Sequence, residues 1–308
     1  MSVVAIPTDA LKLEEVAGFD LYLQQGERYV LFRSKDYPLD ERALEHLRTT
    51  GLTTIYVQRA VESSNQVLAD RLERTLQDKA LSHNRRAETL FKSACGAVRQ
   101  LARTPDRRGF EEATRVGSLL AAYATGDTWV VFEFFRLAAR DAHDFANAAH
   151  VAAIATNLAR SLGFGFDELT TITTAGLVRD IGLTALSPRL KGVQGKMSSM
   201  DRAAVERHVI HSTDLLTKVG ADETLRTVVS QHHERIDGGG YPKRLKSDAI
   251  HPLARVMGVA DAFGTLLTRQ GYREPLSPAR ALDRLRSQES RKFDPEALDA
   301  LEGLLAQS

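Results

Sequence analysis

The eleven residues His232 to Pro242, HHERIDGGGYP, decide how this chain is read. They follow TLRTVVSQ (224–231), an apolar run with helical spacing, so two adjacent histidines stand where a helix ends. Neighbouring residues on a helix point about 100° apart, and both rings can reach one site only at such an end. Gly238, Gly239 and Gly240 permit positive φ and a close backbone approach. The loop amides could form an anion nest, or the loop could present Tyr241 and Pro242 to a partner protein. A glycine triplet by itself is a weak sign of phosphate binding. Arg235 and Asp237 read equally as a surface ion pair that fixes the loop.

Outward from this stretch, the pattern is helical from about Glu111 to the end. The spacing predicts helices near 111–123, 128–139, 143–162, 167–179, 200–218, 222–232, 252–268, 277–287 and 294–306. Two long polar loops, 184–199 and 234–251, interrupt them, and no strand pattern occurs. Unusual chemistry in an all-α domain of this kind belongs in such loops. Upstream, residues 64–103 contain no Pro and a single Gly. Val67, Leu68, Leu72, Leu76, Ala80 and Leu81, then Leu90, Phe91, Ala94, Val98 and Leu101, recur at three and four. One amphipathic helix is expected there, with a polar break at His83 to Arg86, serving as a connector packed on both domains or as a coiled-coil stem of a homodimer. Thr104-Pro105-Asp106 ends it.

The first sixty residues read as a small α+β unit. Leu21 to Leu23 and Tyr29 to Phe32 are short apolar runs around Gln24-Gln25-Gly26-Glu27, a hairpin signal. Asp40 caps an expected helix through Arg48, Gly51 ends it, and Thr53 to Val57 reads as a returning strand. The expected fold is therefore mainly α: a small α+β domain over 1–62, a helical connector over 63–124, and an all-helical domain over 125–308.

Composition bounds the function. The 308 residues carry 41 Lys plus Arg against 40 Asp plus Glu, which excludes a polybasic binder of nucleic acid polymers. The single cysteine, Cys95, excludes an intrachain disulfide and a multi-thiolate zinc site. No window approaches the roughly 18–20 apolar residues of a membrane helix, so no membrane insertion is expected. The start, MSVVAIPTDALKLEEV, lacks a basic segment followed by an apolar core, and a cytoplasmic protein is expected.

Seven of the nine histidines lie beyond residue 140: His143, His150, His208, His211, His232, His233 and His251. Asp141, Asp144, Asp180, Asp237 and Asp261 sit among them. Imidazole with carboxylate suits iron, manganese or zinc. HHERIDGGGYP resembles the signature of the HD-GYP family, a branch of the HD-domain metal-dependent phosphohydrolases, many of which cleave the bacterial messenger cyclic di-GMP. PLARVMGVADAFGTLLTRQGYR (252–273) and KFDP (292–295) are similar to the rest of that family's C-terminal half. DAHDFANAAHVAAIATNLARSLGF (141–164) and AGLVRDIGL (175–183) are similar to its first metal-binding helix and its HD helix. The resemblance covers 125–308. The first sixty residues are similar, more loosely, to small domains that precede some family members.

The resemblance implies a metal-ligand set of which half remains. Asp180 stands at the catalytic, bridging position, and His208, His232, His233 and Asp261 at other ligand positions. The first ligand histidine falls on Asn147, and the histidine of the HD doublet falls on Arg179. The ligand-binding positions are eroded too: a phosphate-contacting lysine is Leu183, an arginine is Gln270, and a second aspartate is Gly264. Arg273, Gly240, Tyr241 and Pro242 are kept as implied substrate-binding positions. Asn is a weak neutral ligand, and Arg cannot lose its proton to ligate a cation. A fixed charge beside Asp180 opposes metal entry: two unit charges about 4 Å apart interact by roughly 4 kcal/mol at an effective dielectric near 20, and a divalent ion doubles this. The expectation is one divalent metal (Fe, Mn or Zn) or none, with Arg179 paired to Asp180. His150, one turn past Asn147, is a substitute ligand or, as the preferred reading for it and for His143, a helix-surface or interface histidine. The function expected is a degenerate HD-GYP signalling protein that binds a partner through the GYP loop, and cyclic di-GMP with weak or no hydrolysis. An active phosphodiesterase and an architectural dimer with a relic HD domain are the competing readings.

Overall fold

The computed structural model of the chain describes residues 3–7, 20–25, 28–33, 49, 54–58, 72–78, 80–126, 129–140, 145–191, 197–268 and 274–306. It divides into two units, residues 1–68 and 69–308. In the first, the alternating apolar runs form β2 (Leu21–Gln25) and β3 (Arg28–Arg33), a hairpin with Gln25 opposite Arg28. With β1 (Val3–Pro7) and β4 (Thr54–Gln58) they make an antiparallel sheet in the order β1-β4-β2-β3. Leu21, Tyr22 and Ile55 are buried on it. The expected helix from Asp40 to Arg48 lies outside the described residues. Strand β1 is not among the sequence expectations. Its five residues, VVAIP, end on a proline and offer little alternation.

The second unit is helical. Its principal helices are α1 (His83–Arg103), α2 (Arg107–Gly126), α3 (Trp129–Arg140), α4 (Ala146–Ser161), α5 (Phe166–Val178), α6 (Pro188–Lys191), α7 (Ser199–Glu206), α8 (His208–Lys218), α9 (Glu223–Gln231), α10 (Pro252–Leu267), α11 (Pro278–Gln288) and α12 (Pro295–Leu305). Two expectations are corrected. The helix expected over 64–103 is interrupted: 72–77 is helical, Asp78 turns the chain by accepting the Ala80 N–H at 2.9 Å, and Ser82 caps α1 by accepting the Arg85 N–H. Short polar side chains that bond nearby backbone favour such turns and caps over helix interior. The helix expected over 200–218 is broken at Arg207. There the His208 ring donates through Nδ1 to the Val205 carbonyl at 2.8 Å, an oxygen that a continuous helix would offer to Val209.

One apolar core runs from Leu72 to Leu304. The stripe of α1 is spent inside it, with Leu90, Ala94, Val98 and Leu101 almost fully covered. Alanine-rich α4 lies at the centre and is nearly all buried. Small residues let its neighbours approach. A Cβ on Gly176 of α5 would meet the Ala152 Cα at 2.7 Å, and one on Gly264 of α10 would meet the Val151 Cγ2 at 2.5 Å. These contacts press α5 and α10 onto α4. Among the described residues, no helix is long and apolar enough to cross a membrane.

Candidate metal centre

Helix α5 ends at Arg179 and Asp180, and a short 3-10 turn, Ile181–Ala185, follows. Gly182 is required in that turn. Its Cβ would sit 2.2 Å from the His208 carbonyl oxygen and 2.5 Å from the Ser212 nitrogen. Buried Ser212 stitches the two segments together. Its hydroxyl donates to the Arg179 carbonyl at 2.7 Å and accepts the Gly182 N–H at 2.8 Å. The start of α8 is thereby pressed onto the end of α5, with His208 facing Asp180.

Asp180, His208, His232 and His233 each offer one donor atom, and the four atoms lie within 4.8 Å of one another. His208 Nε2 is 3.3 Å and His232 Nε2 is 3.7 Å from Asp180 Oδ1. Both rings are oriented from behind: Nδ1 of His208 donates to the Val205 carbonyl, and Nδ1 of His232 to the Val229 carbonyl at 2.6 Å. That tautomer leaves the Nε2 lone pairs aimed at the cluster. Both Nε2 atoms are buried and meet no hydrogen-bond geometry. Buried polar atoms without a partner are costly, and a divalent cation is the partner that fits three imidazoles and a carboxylate.

The other half of the expected site is closed. Arg179 is completely buried. Its Nη2 lies 3.1 Å from Asp180 Oδ2, its Nε donates to Asp261 Oδ1 at 2.9 Å, and its Nη1 donates to the Gly176 carbonyl at 2.6 Å. The expected pair with Asp180 is present, and the second bond, to Asp261, goes beyond the expectation. Asp261 is half bound to Arg179, with its Oδ2 3.7 Å from His233 Nδ1, and it stands outside the four-residue cluster. The position where a first ion would rest therefore holds a guanidinium, and the residues there do not fit a metal. Asn147 Oδ1 is buried without a partner on α4. Gly264 faces Val151, so the packing has no room for the second aspartate. Leu183 is half-buried in the 3-10 turn. Gln270, Arg273 and His143 lie outside the described residues.

The charges follow this arrangement. Burial works against the Asp180 charge, but Arg179, with the His208 and His232 rings beside it, holds its carboxyl well below the usual carboxylate range. Burial also opposes a charged His208, and Asp180 outweighs it and raises that imidazole. Burial, then His232, pushes His233 well down. His150 is the second correction at this site. It is not at the helix surface but 1% exposed, packed beside the Phe135 ring and outside the four-residue cluster, with burial and then Arg179 lowering its pKa to about 3.

The GYP loop is anchored by a residue that sequence reading missed. Glu234 is buried, and its two carboxylate oxygens accept the Lys243 N–H at 2.6 Å and the Leu245 N–H at 2.9 Å. Its signal was position alone, directly after the histidine pair. Asp237 accepts the Gly239 N–H at 2.8 Å, which gives it a turn-forming role. Gly238 has φ +79°, and a Cβ on Gly240 would lie 2.5 Å from the His233 carbonyl oxygen. Tyr241 donates its N–H to that oxygen at 3.2 Å, and its ring stacks on His233 at 4.7 Å between centroids. Gly240, Tyr241 and Pro242 are thus held against the cluster.

Residues 135–297 match the HD domain. Over 160 residues the chain is 35% identical to the cyclic di-GMP phosphodiesterase response regulator RpfG of Xanthomonas campestris, covering 50% of this chain and 40% of that protein. Over 165 residues it is 28% identical to the 3'3'-cGAMP-specific phosphodiesterase 2 of Vibrio cholerae, covering 53% of this chain and 32% of that protein. The chain thus spans well under half the length of these curated relatives. Among solved structures, a HDG"Y"P protein from Bdellovibrio bacteriovorus superposes with a TM-score of 0.69 over 99% of this chain and 100% of that chain, at 21% identity, a likeness of fold. The helical fold, the histidine–aspartate cluster and these matches agree: the chain belongs to the HD-domain family, as an HD-GYP domain protein.

Proposed function

We propose that this chain is a cytoplasmic HD-GYP signalling protein that holds one divalent ion, binds a cyclic dinucleotide of the cyclic di-GMP or 3'3'-cGAMP class, and hydrolyses it weakly or not at all. The observation that carries this reading is the buried Arg179 guanidinium bonded to both Asp180 and Asp261. Asp180, His208, His232 and His233 would hold the ion, which supplies a Lewis-acid point for a phosphate oxygen. Asp180 keeps its charge at neutral pH, and the paired backbone carbonyls keep both histidine rings turned toward it. Without a second ion, no clamp spans both the attacking and the leaving oxygen. The loop that carries Tyr241 and Pro242 would meet a partner signalling protein.

Elemental analysis of the purified chain tests the reading, together with a hydrolysis assay on cyclic di-GMP and 3'3'-cGAMP. One ion per chain and turnover below about 0.1 per second are expected, a rate far under ordinary enzymes. The double change Asn147→His with Arg179→His should add about one further ion, non-additively, because both residues serve one network. Two ions in the unaltered chain, or restoration by Asn147→His alone, would refute the blocking role of Arg179. The competing reading, an active phosphodiesterase, draws support from the intact four-residue cluster, and turnover above that threshold would establish it.

A further inference from the structure

The arginine that closes the first metal position also changes the second. Arg179 Nη2 holds Asp180 Oδ2, leaving Oδ1 as the oxygen that faces His208 and His232. With Oδ2 in an ion pair with Arg179, Oδ1 is the oxygen that Asp180 offers to the histidines. Three imidazoles and one such oxygen make four protein donors, the complement of a closed zinc site rather than an open catalytic one. For an ion with bonds of about 2.0–2.1 Å, tetrahedral donors stand about 3.4 Å apart. The Asp180 oxygen is 3.3 Å and 3.7 Å from the two Nε2 atoms, and all four donors, His233 included, lie within 4.8 Å of one another, so a bound ion would draw them closer.

One of the four donors belongs to the loop as much as to the cluster. The His233 ring stacks on Tyr241, its carbonyl oxygen accepts the Tyr241 N–H, and Gly240 lies too close to His233 to bear a side chain. The next residue, Glu234, holds the amides of Lys243 and Leu245. The His233 ring thus meets the loop at Tyr241, next to the Glu234 anchor that holds Lys243 and Leu245.

We propose that this centre is a closed, four-ligand zinc site whose occupancy clamps the Tyr241–Pro242 loop, so that zinc sets the conformation the loop offers to a partner. The inference rests on the proposed single-ion reading and adds to it the coordination of the ion and its effect on the loop.

Three measurements on the full chain decide it. Zinc titration of chelator-treated protein should saturate at one ion per chain. Cobalt(II) in its place should give the intense visible absorption of a four-coordinate ion. Hydrogen exchange of the Tyr241, Lys243 and Leu245 amides should slow about tenfold or more on adding zinc. His232→Ala should abolish both binding and slowing. Tyr241→Ala, which leaves the four donors in place, should bind the ion but lose most of the slowing at 243 and 245. Absence of any bound ion would overturn the single-ion reading itself. One bound ion with unchanged loop exchange would overturn the clamp and leave that reading standing. A weak, six-coordinate cobalt spectrum would overturn the closed site.

Discussion

The two halves of the centre sit side by side, yet they satisfy their polar groups in opposite ways. Around Asp261, charge is met by a side-chain cation: Arg179 hydrogen-bonds Asp261 and the Gly176 carbonyl and forms an ion pair with Asp180 at 3.1 Å. Around His208 and His232, two buried lone pairs are left unanswered. A side-chain cation is permanent, whereas an ion is exchangeable. The difference teaches that one half has become part of the fold's own electrostatics while the other still depends on the surroundings of the protein.

The largest effect should come from breaking the closed half. Arg179→Ala leaves Asp180 and Asp261 facing each other without their cation. Removing one partner of a buried pair costs about 3–5 kcal/mol, measurable by urea unfolding. A loss under about 1 kcal/mol would mean the pair behaves like a surface one.

A second test uses His150, which lies buried near Arg179. Its folded pKa of about 3 lies below the ordinary 6.5. The unfolded chain therefore takes up a proton that the folded chain refuses. This contribution to stability is complete above pH 6.5 and is lost as pH falls toward about 3. At pH 5 the loss is about 2 kcal/mol. His150→Leu should flatten that limb of the unfolding free energy against pH, and an unchanged slope would assign the titration elsewhere.

The packing that excludes an aspartate at 264 can be sharpened next. Gly264→Ala drives a Cβ toward Val151 and should cost about 1–3 kcal/mol. Adding Val151→Ala should return much of it, and a thermal melt of the two variants reports the coupling. A change of similar size is expected at the seam between the halves. Ser212→Ala removes one bond to the Arg179 carbonyl and one from the Gly182 N–H, for about 1–3 kcal/mol of stability. It should also weaken zinc binding measurably, since His208 is positioned across that seam.

Much of this was legible in the residues. The helices after 111 announced themselves through apolar spacing, and those expected from 222, 277 and 294 begin where the structure shows Asp222, Ser277 and Asp294 capping them. The charge conflict at Arg179 and Asp180 followed from the resemblance, which put Arg179 on the histidine of the HD doublet beside the ligand Asp180. What lay hidden depended on the third dimension. Nothing in the spacing shows that Arg179 reaches Asp261, 82 residues away. The break at Arg207 arises from a ring competing for a carbonyl, and local periodicity runs straight through it. Glu234 looked like one more loop carboxylate because its partners are backbone amides, which carry no sequence signature. His150 sits on a helix whose apolar residues surround it on all sides, and only packing shows that no face of α4 is left for solvent.

The Arg179 contacts also bear on history. Of the two single substitutions that lead back toward a two-ion centre, Asn147→His gains nothing while the guanidinium remains, and Arg179→His removes the charge that stabilises two buried carboxylates. Gly264 adds a further gate, since its restoration collides with Val151. On that reading, each single change is expected to leave metal content unaltered or to cost stability, and a second ion is expected only when several changes coincide. If the proposed single-ion reading holds, the arginine would act as a ratchet: lodged in the core and paired with two carboxylates, it makes the one-ion arrangement a stable point that single substitutions do not leave.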